Sequence, residues 1–74
     1  MGKLDAKTRE LIALAVAVTV RCGGCITTHV DNAARNGATK EEVIEALAVA
    51  IQVNAGAALV YSARTLDAFM AKAP

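Results

Sequence analysis

The sequence has very few aromatic residues and no excess of basic ones. It contains one tyrosine, one phenylalanine and no tryptophan among 74 residues, and its formal net charge is +1. Proteins that bind single-stranded nucleic acids stack bases on aromatic side chains beside a basic groove, and other nucleic-acid-binding domains carry a basic patch. Because both features are missing, we expect no nucleic acid among the partners.

A long hydrophobic run is also missing. The longest unbroken apolar segment is residues 11–18, whereas a transmembrane helix needs about 20 predominantly apolar residues. The first residues, MGKLDA, do not resemble the apolar region of a secretion signal. We therefore expect no membrane partner and a cytoplasmic location.

Cysteine and histidine are scarce, and all of them lie in one short segment, RCGGCITTH. Cys22 and Cys25 are the only cysteines and His29 is the only histidine. Two cysteines are too few for the disulfide frameworks of small secreted domains. Three ligands are one fewer than a structural zinc site needs, and a c-type haem requires histidine where Ile26 stands. We predict no metal and no cofactor; the alternative is a metal site completed by a carboxylate or by another subunit.

Apolar residues, in contrast, are abundant. They make up 55% of the sequence, and the mean hydropathy is +0.42. A chain of this length forms one domain, residues 1–74, whose own core cannot bury so much apolar surface. Large exposed apolar patches mark interaction sites. We therefore expect the domain to assemble into a homo-oligomer.

The order of apolar residues and helix breakers predicts an all-α fold of about four helices. Asp5 is a good N-cap for the first helix, and Gly37 is a natural end for the second, which begins near the cysteines. Thr39 and Glu42 form a capping box for the third helix. The sequence Asn54–Ala55–Gly56 predicts its end, and the fourth helix follows over about residues 57–72. That last helix carries one apolar stripe: Leu59, Ala63, Leu66 and Met70.

The spacing of the cysteines and the histidine places all three on one helix face. At about 100° per residue, Cys22 and Cys25 are about 60° apart, and Cys25 and His29 are about 40° apart. Free N–H groups in the first turn of a helix favour a thiolate, and His29 lies one turn beyond Cys25. The pattern indicates a reactive dithiol with its own base. The alternative is a buried face in which both cysteines act as small apolar side chains.

Glu10 is the other residue that the pattern singles out. It begins an otherwise apolar face of the first helix, and no further charge occurs before Arg21. A carboxylate in such a position is a candidate for proton transfer. It could equally be an exposed residue in the second turn of the helix.

Together, Glu10, Cys22, Cys25 and His29 read E-x11-C-x2-C-x3-H. This constellation resembles the core of the alkylhydroperoxidase AhpD, in the carboxymuconolactone decarboxylase family. The flanking segments LDAKTRELIALAVAV and HVDNAARNGATKEEVIEAL are similar to the family's helix pair and to its connection into the next helix. The resemblance covers about residues 4–70. It implies an all-α subunit that assembles into trimers, hexamers or similar rings.

The resemblance also implies a role for each of the four residues. Cys25 would attack the hydroperoxide, Cys22 would resolve the resulting sulfenic acid as a disulfide, His29 would act as base and Glu10 would complete a proton relay. Some AhpD proteins carry a second histidine at the position of Gly24. The implied activity is that of a thiol-dependent hydroperoxide reductase, a peroxidase-type oxidoreductase. An external dithiol would recycle it, either a lipoyl group or a thioredoxin-like protein.

Three other functions remain open from the sequence. The dithiol could exchange disulfides with other proteins instead of reducing peroxides. The chain could be a non-redox oligomeric module that is structural or binds a metal. Cofactor-free lactone decarboxylation is a poorer match, because those members of the family do not rely on a cysteine pair.

Overall fold

Three α-helices make up the fold of this chain. The computed structural model describes residues 2–72, and within them it contains helix α1 (Ala6–Val20), helix α2 (Gly23–Arg35), helix α3 (Lys40–Met70) and no strand. Helix α1 packs against α2 and against α3. The all-α prediction is confirmed. Met1, Ala73 and Pro74, which the predicted domain 1–74 includes, lie outside the described residues.

Local sequence signals set the first two helices. The Oδ1 atom of Asp5 accepts a hydrogen bond from the backbone N–H of Thr8 at 2.7 Å and caps helix α1. Helix α2 ends in a Schellman motif, in which the N–H groups of Gly37 and Ala38 donate to the carbonyls of Ala34 and Ala33. Gly37 has the positive φ of 81° that this motif requires. Both ends lie where the sequence predicts them.

Helix α3 begins with the predicted capping box. The N–H of Glu42 donates to Oγ1 of Thr39, and the N–H of Thr39 donates to Oε1 of Glu42. The side chain of Glu42 also accepts a hydrogen bond from Lys7 of helix α1 at 2.8 Å. One carboxylate therefore starts helix α3 and ties that start to helix α1.

The predicted break at Asn54–Ala55–Gly56 is wrong, so there are three helices instead of four. Helix α3 runs unbroken through Gly56, which does not have a positive φ. A glycine inside a helix costs about 1 kcal/mol relative to alanine, which a long helix tolerates. Asn54 does not cap the helix end either. Its Nδ2 donates to the carbonyl of Ala50 at 2.7 Å and to Oγ1 of Thr19 at 3.0 Å, and so links α3 to α1.

The single chain has a very small core. Among residues 2–72, only four apolar residues are buried: Leu14, Ala17, Ala33 and Ala50. The molecule measures 59 × 25 × 22 Å and has a radius of gyration of 17.0 Å, whereas a globular chain of this length would have about 11 Å. Residues 51–70 of helix α3, called the distal segment below, are all exposed. The excess comes from this segment, which is not buried by any other part of the chain that the structure describes.

Helix α3 also contains a long apolar stretch. An 18-residue window within it has a mean hydropathy of 1.8, so that by length and composition the helix could cross a membrane. Core helices of soluble proteins pass the same test. Residues 46–63 contain no charged side chain. They do not form an unbroken apolar run, because Gln52 and Asn54 interrupt them.

Candidate active site

The junction between helices α1 and α2 positions the two cysteines. Arg21 adopts a left-handed conformation, with φ 58° and ψ 47°, which ends α1 and reverses the chain within one residue. Cys22 follows as the N-cap of α2, and its N–H donates back to the carbonyl of Ala17 at 3.0 Å. A non-glycine residue in this conformation costs about 1 kcal/mol. The tight turn brings the start of α2 against the side of α1.

Cys22 and Cys25 are joined by a disulfide in this structure. Their Cα atoms are 5.2 Å apart, a usual separation for a disulfide. The N–H of Cys25 also donates to Sγ of Cys22 at 3.2 Å, so that the sulfur of Cys22 caps helix α2. Both residues are half-buried. A pair of this kind stores two electrons and can release them by conversion between dithiol and disulfide.

His29 is held by Glu10 across the two helices. The Nδ1 atom of His29, on α2, lies 2.5 Å from Oε2 of Glu10, on α1. The two side chains are partly sheltered from solvent, with 32% and 20% of their surface exposed. Because Nδ1 is engaged by the carboxylate, Nε2 is the ring nitrogen left to exchange a proton with another group. Such a contact fixes the orientation of an imidazole.

Cys25 and His29 open into one shared cleft, called the dithiol cleft below. Its volume is about 270 Å³. Apart from these two residues, it is lined by one face of helix α1: Ala13, Val16, Ala17 and Val20. The side chain of Cys25 is thus bordered by an imidazole on one side and by apolar side chains on the other.

All four residues predicted from the sequence lie where helix α2 packs against helix α1. Cys22 forms a disulfide with Cys25, Glu10 forms a hydrogen bond with His29, and Cys25 and His29 share the dithiol cleft. Their catalytic roles stay predictions. The cleft-lining residues on α1 were not singled out from the sequence, although their spacing of three or four residues places them on one helix face.

The two glycines between the cysteines are not required by crowding. A Cβ atom built on Gly23 or Gly24 would meet no atom within 4 Å, and neither glycine has a positive φ. Their place in the first turn of α2 leaves the backbone beside the sulfur atoms open to an approaching molecule.

Within residues 2–72, no group of three or more histidine, cysteine, aspartate or glutamate side chains is arranged to hold a metal ion. In the disulfide state, moreover, the sulfurs of Cys22 and Cys25 are not thiolates, the form in which cysteine binds metals.

Similar proteins are found in several bacteria. A Haemophilus influenzae protein named "Uncharacterized protein" is 62% identical over 66 residues, which cover 89% of this chain and 58% of the relative. A Paracoccus denitrificans protein, "Uncharacterized protein 4 in cox locus", is 46% identical over 65 residues, which cover 88% of this chain and 59% of the relative. The chain thus spans about three fifths of the length of the curated relatives it matches.

The fold and the family are shown by two further similarities. A crystal structure of a protein from Methanobacterium thermoautotrophicum superposes with a TM-score of 0.79 at 36% identity, covering 89% of this chain and 76% of that one. The sequence model of the carboxymuconolactone decarboxylase family matches residues 1–68. The chain therefore belongs to the carboxymuconolactone decarboxylase family.

Proposed function

We propose that this protein is an AhpD-like, thiol-dependent hydroperoxide reductase. The family includes decarboxylases as well as peroxidases of the AhpD type. The observation that favours the peroxidase is the Cys22–Cys25 disulfide beside a histidine that a carboxylate orients. Decarboxylation without a cofactor needs no such pair, whereas reduction of a peroxide needs a thiol that can give up two electrons.

The first step is the attack of Cys25 on the hydroperoxide. In the reduced protein, the thiol of Cys25 gives its proton to Nε2 of His29, and the thiolate attacks the terminal oxygen of ROOH. The O–O bond breaks, and the leaving alkoxide takes the proton back from His29 as ROH. Cys25 is left as a sulfenic acid. Sulfur loses two electrons, the peroxide gains them, and Glu10 stabilises the imidazolium that exists in between.

The second and third steps restore the dithiol. The thiol of Cys22 attacks the sulfenic sulfur of Cys25, which forms the disulfide and releases one water. An external dithiol then attacks this disulfide, leaves as its own disulfide and returns both cysteines to thiols. A lipoyl group or a thioredoxin-like protein has the required chemistry. We place the protein in the cytoplasm, where such reductants keep thiols reduced.

Peroxide consumption that depends on a dithiol tests this proposal. Reduced protein should consume a hydroperoxide in the presence of dihydrolipoamide, and Cys25→Ser should abolish the reaction. With no external dithiol present, reduced Cys22→Ser should consume one equivalent of peroxide and stop with a sulfenic acid at Cys25, which dimedone labels and mass spectrometry locates. An absence of dithiol-dependent consumption, or full activity in Cys25→Ser, would contradict the proposal.

Disulfide exchange with other proteins is the second candidate function. It is favoured by the position of Cys22 at the N-cap of α2, where the N–H of Cys25 would stabilise a thiolate. Turnover of insulin disulfides should be measured beside peroxide turnover on the same preparation. A higher kcat/KM for insulin would make protein disulfide exchange the main activity.

We further propose that the working form is a homo-oligomer, a trimer or a hexamer. Fifteen large apolar side chains among the described residues are exposed in the single chain, and those of the distal segment lie on a stretch of helix that no other described residue buries. A second copy of the same chain can cover this segment, and neither a membrane nor a nucleic acid is required. Sedimentation without detergent should show a discrete oligomer at micromolar concentration; a folded monomer would contradict the proposal.

A further inference from the structure

The wall of the dithiol cleft opposite the redox residues is entirely apolar. It consists of alanine and valine side chains from one face of helix α1, and helix α3 contributes none of the lining residues. Ala17 is 3% exposed and forms the floor, whereas Val20 is 65% exposed and forms the rim. A molecule that reaches Cys25 through the cleft therefore lies against carbon atoms on one side.

The size of the cleft suits a compact organic group. Its volume of about 270 Å³ is near the lower limit of about 300 Å³ for small-ligand pockets. Water that fills such a space has few polar partners, so its displacement by an apolar group favours binding. Hydrogen peroxide has no apolar surface and gains nothing from this wall.

Building on the proposed peroxidase function, we propose that Ala13 and Val20 determine the substrate specificity of the dithiol. They make Cys25 react faster with hydroperoxides that carry a compact apolar group than with hydrogen peroxide. Ala13 is half-buried, and its small side chain leaves the space in which the group lies. Val20, at the rim, covers the group on its exposed side.

The first test compares two substrates in paired variants. Ala13→Leu fills the cleft and Val20→Ala removes its rim. In both, the ratio of kcat/KM for cumene hydroperoxide to that for hydrogen peroxide should fall about tenfold. Ala34→Leu and Val30→Ala introduce the same changes on helix α2 outside the cleft, and they should keep the wild-type ratio. Circular dichroism and sedimentation establish that each variant folds. Because Val20 is exposed, Val20→Ala should fold and remains informative if Ala13→Leu does not.

The second test does not use a peroxide. In reduced Cys22→Ser protein, the rate of alkylation of Cys25 is measured with N-phenylmaleimide and with N-methylmaleimide, which share one reactive group and differ in apolar size. The ratio of the two rates should fall severalfold in Ala13→Leu and stay unchanged in Ala34→Leu.

The two tests separate the inference from the function it rests on. Peroxide turnover with the same substrate ratio in wild type, Ala13→Leu and Val20→Ala would overturn the role of these residues and leave the peroxidase function standing. No peroxide turnover, together with a maleimide ratio that falls in Ala13→Leu, would overturn the peroxidase function and support Ala13 as the residue that selects what reaches Cys25.

Discussion

At the residue scale, the contact between Glu10 and His29 is central to the proposed activation of the Cys25 thiol. The carboxylate engages Nδ1, so that Nε2 is the ring nitrogen that would accept the proton of Cys25 in the proposed mechanism. We expect His29→Ala to slow alkylation of reduced Cys25 by iodoacetamide at pH 7 about 100-fold, and Glu10→Gln about tenfold. If Glu10 acts only through His29, Glu10→Gln should have little further effect in the His29→Ala background. Additive effects of the two changes would show that Glu10 acts elsewhere.

Gly24 offers a second test at this scale, because the structure leaves open space there. A side chain at this helical position meets no neighbouring atom, so Gly24→Ala should stabilise the fold by about 0.5 kcal/mol. Gly24→His should fold equally well and place a second imidazole beside Cys25. We expect its kcat for a hydroperoxide to exceed that of Gly24→Ala about tenfold. Equal rates in the two variants would indicate that one histidine is sufficient.

At the scale of the elements, the ion pair between helices α1 and α3 sets a pH range for stability. The hydrogen bond with Glu42 raises the pKa of Lys7 above its ordinary value of 10.5, and the same bond lowers the pKa of Glu42 below 4.5. A lowered carboxyl pKa contributes stability above pH 4.5 that is lost as the pH falls through the folded-state pKa. A raised lysine pKa contributes stability below pH 10.5, and this contribution is lost as the pH rises through the folded-state pKa of the lysine.

Glu42→Gln should therefore lower the stability of the fold at pH 7. It should also reduce the amount of stability that is lost when the pH falls from 7 to 3. Both side chains keep about a third of their surface, 34%, in contact with solvent, so the effect should be small. The measurement is the urea midpoint by circular dichroism at both pH values and at one protein concentration. Glu41→Gln is the matched control, since Glu41 makes no ion pair among the described residues. An equal change in both variants would assign the effect to the helix dipole instead of the ion pair.

The elements also show what the sequence could and could not predict. The capping box at Thr39 and the Schellman end at Gly37 were predictable, because each depends on residues within a few positions of one another. The pairing of Glu10 with His29 depends on how α1 packs against α2, and the sequence alone left its role open. The break predicted at Gly56 failed because a local signal was outweighed by the continuity of a long helix.

At the scale of the whole molecule, the distal segment should form the subunit interface. Leu66, which is 63% exposed, lies in the middle of the apolar stripe predicted from the sequence. Burying a leucine contributes about 2 kcal/mol, so Leu66→Lys should raise the dissociation constant of the oligomer at least about tenfold. Ala68→Lys adds the same charge about 200° around the helix and should assemble as wild type does. Analytical ultracentrifugation over a concentration series distinguishes them; identical assembly of both would place the interface elsewhere.

Helix α1 lies between the redox residues and helix α3, and this placement determines how the subunits of such an assembly would work together. Glu10, Cys22, Cys25 and His29 all come from one chain, and the distal segment supplies none of them. Each copy therefore carries all four residues of the proposed mechanism. In mixed oligomers of wild-type and Cys25→Ser chains, the turnover rate should be proportional to the fraction of wild-type chains, as it is when subunits work independently.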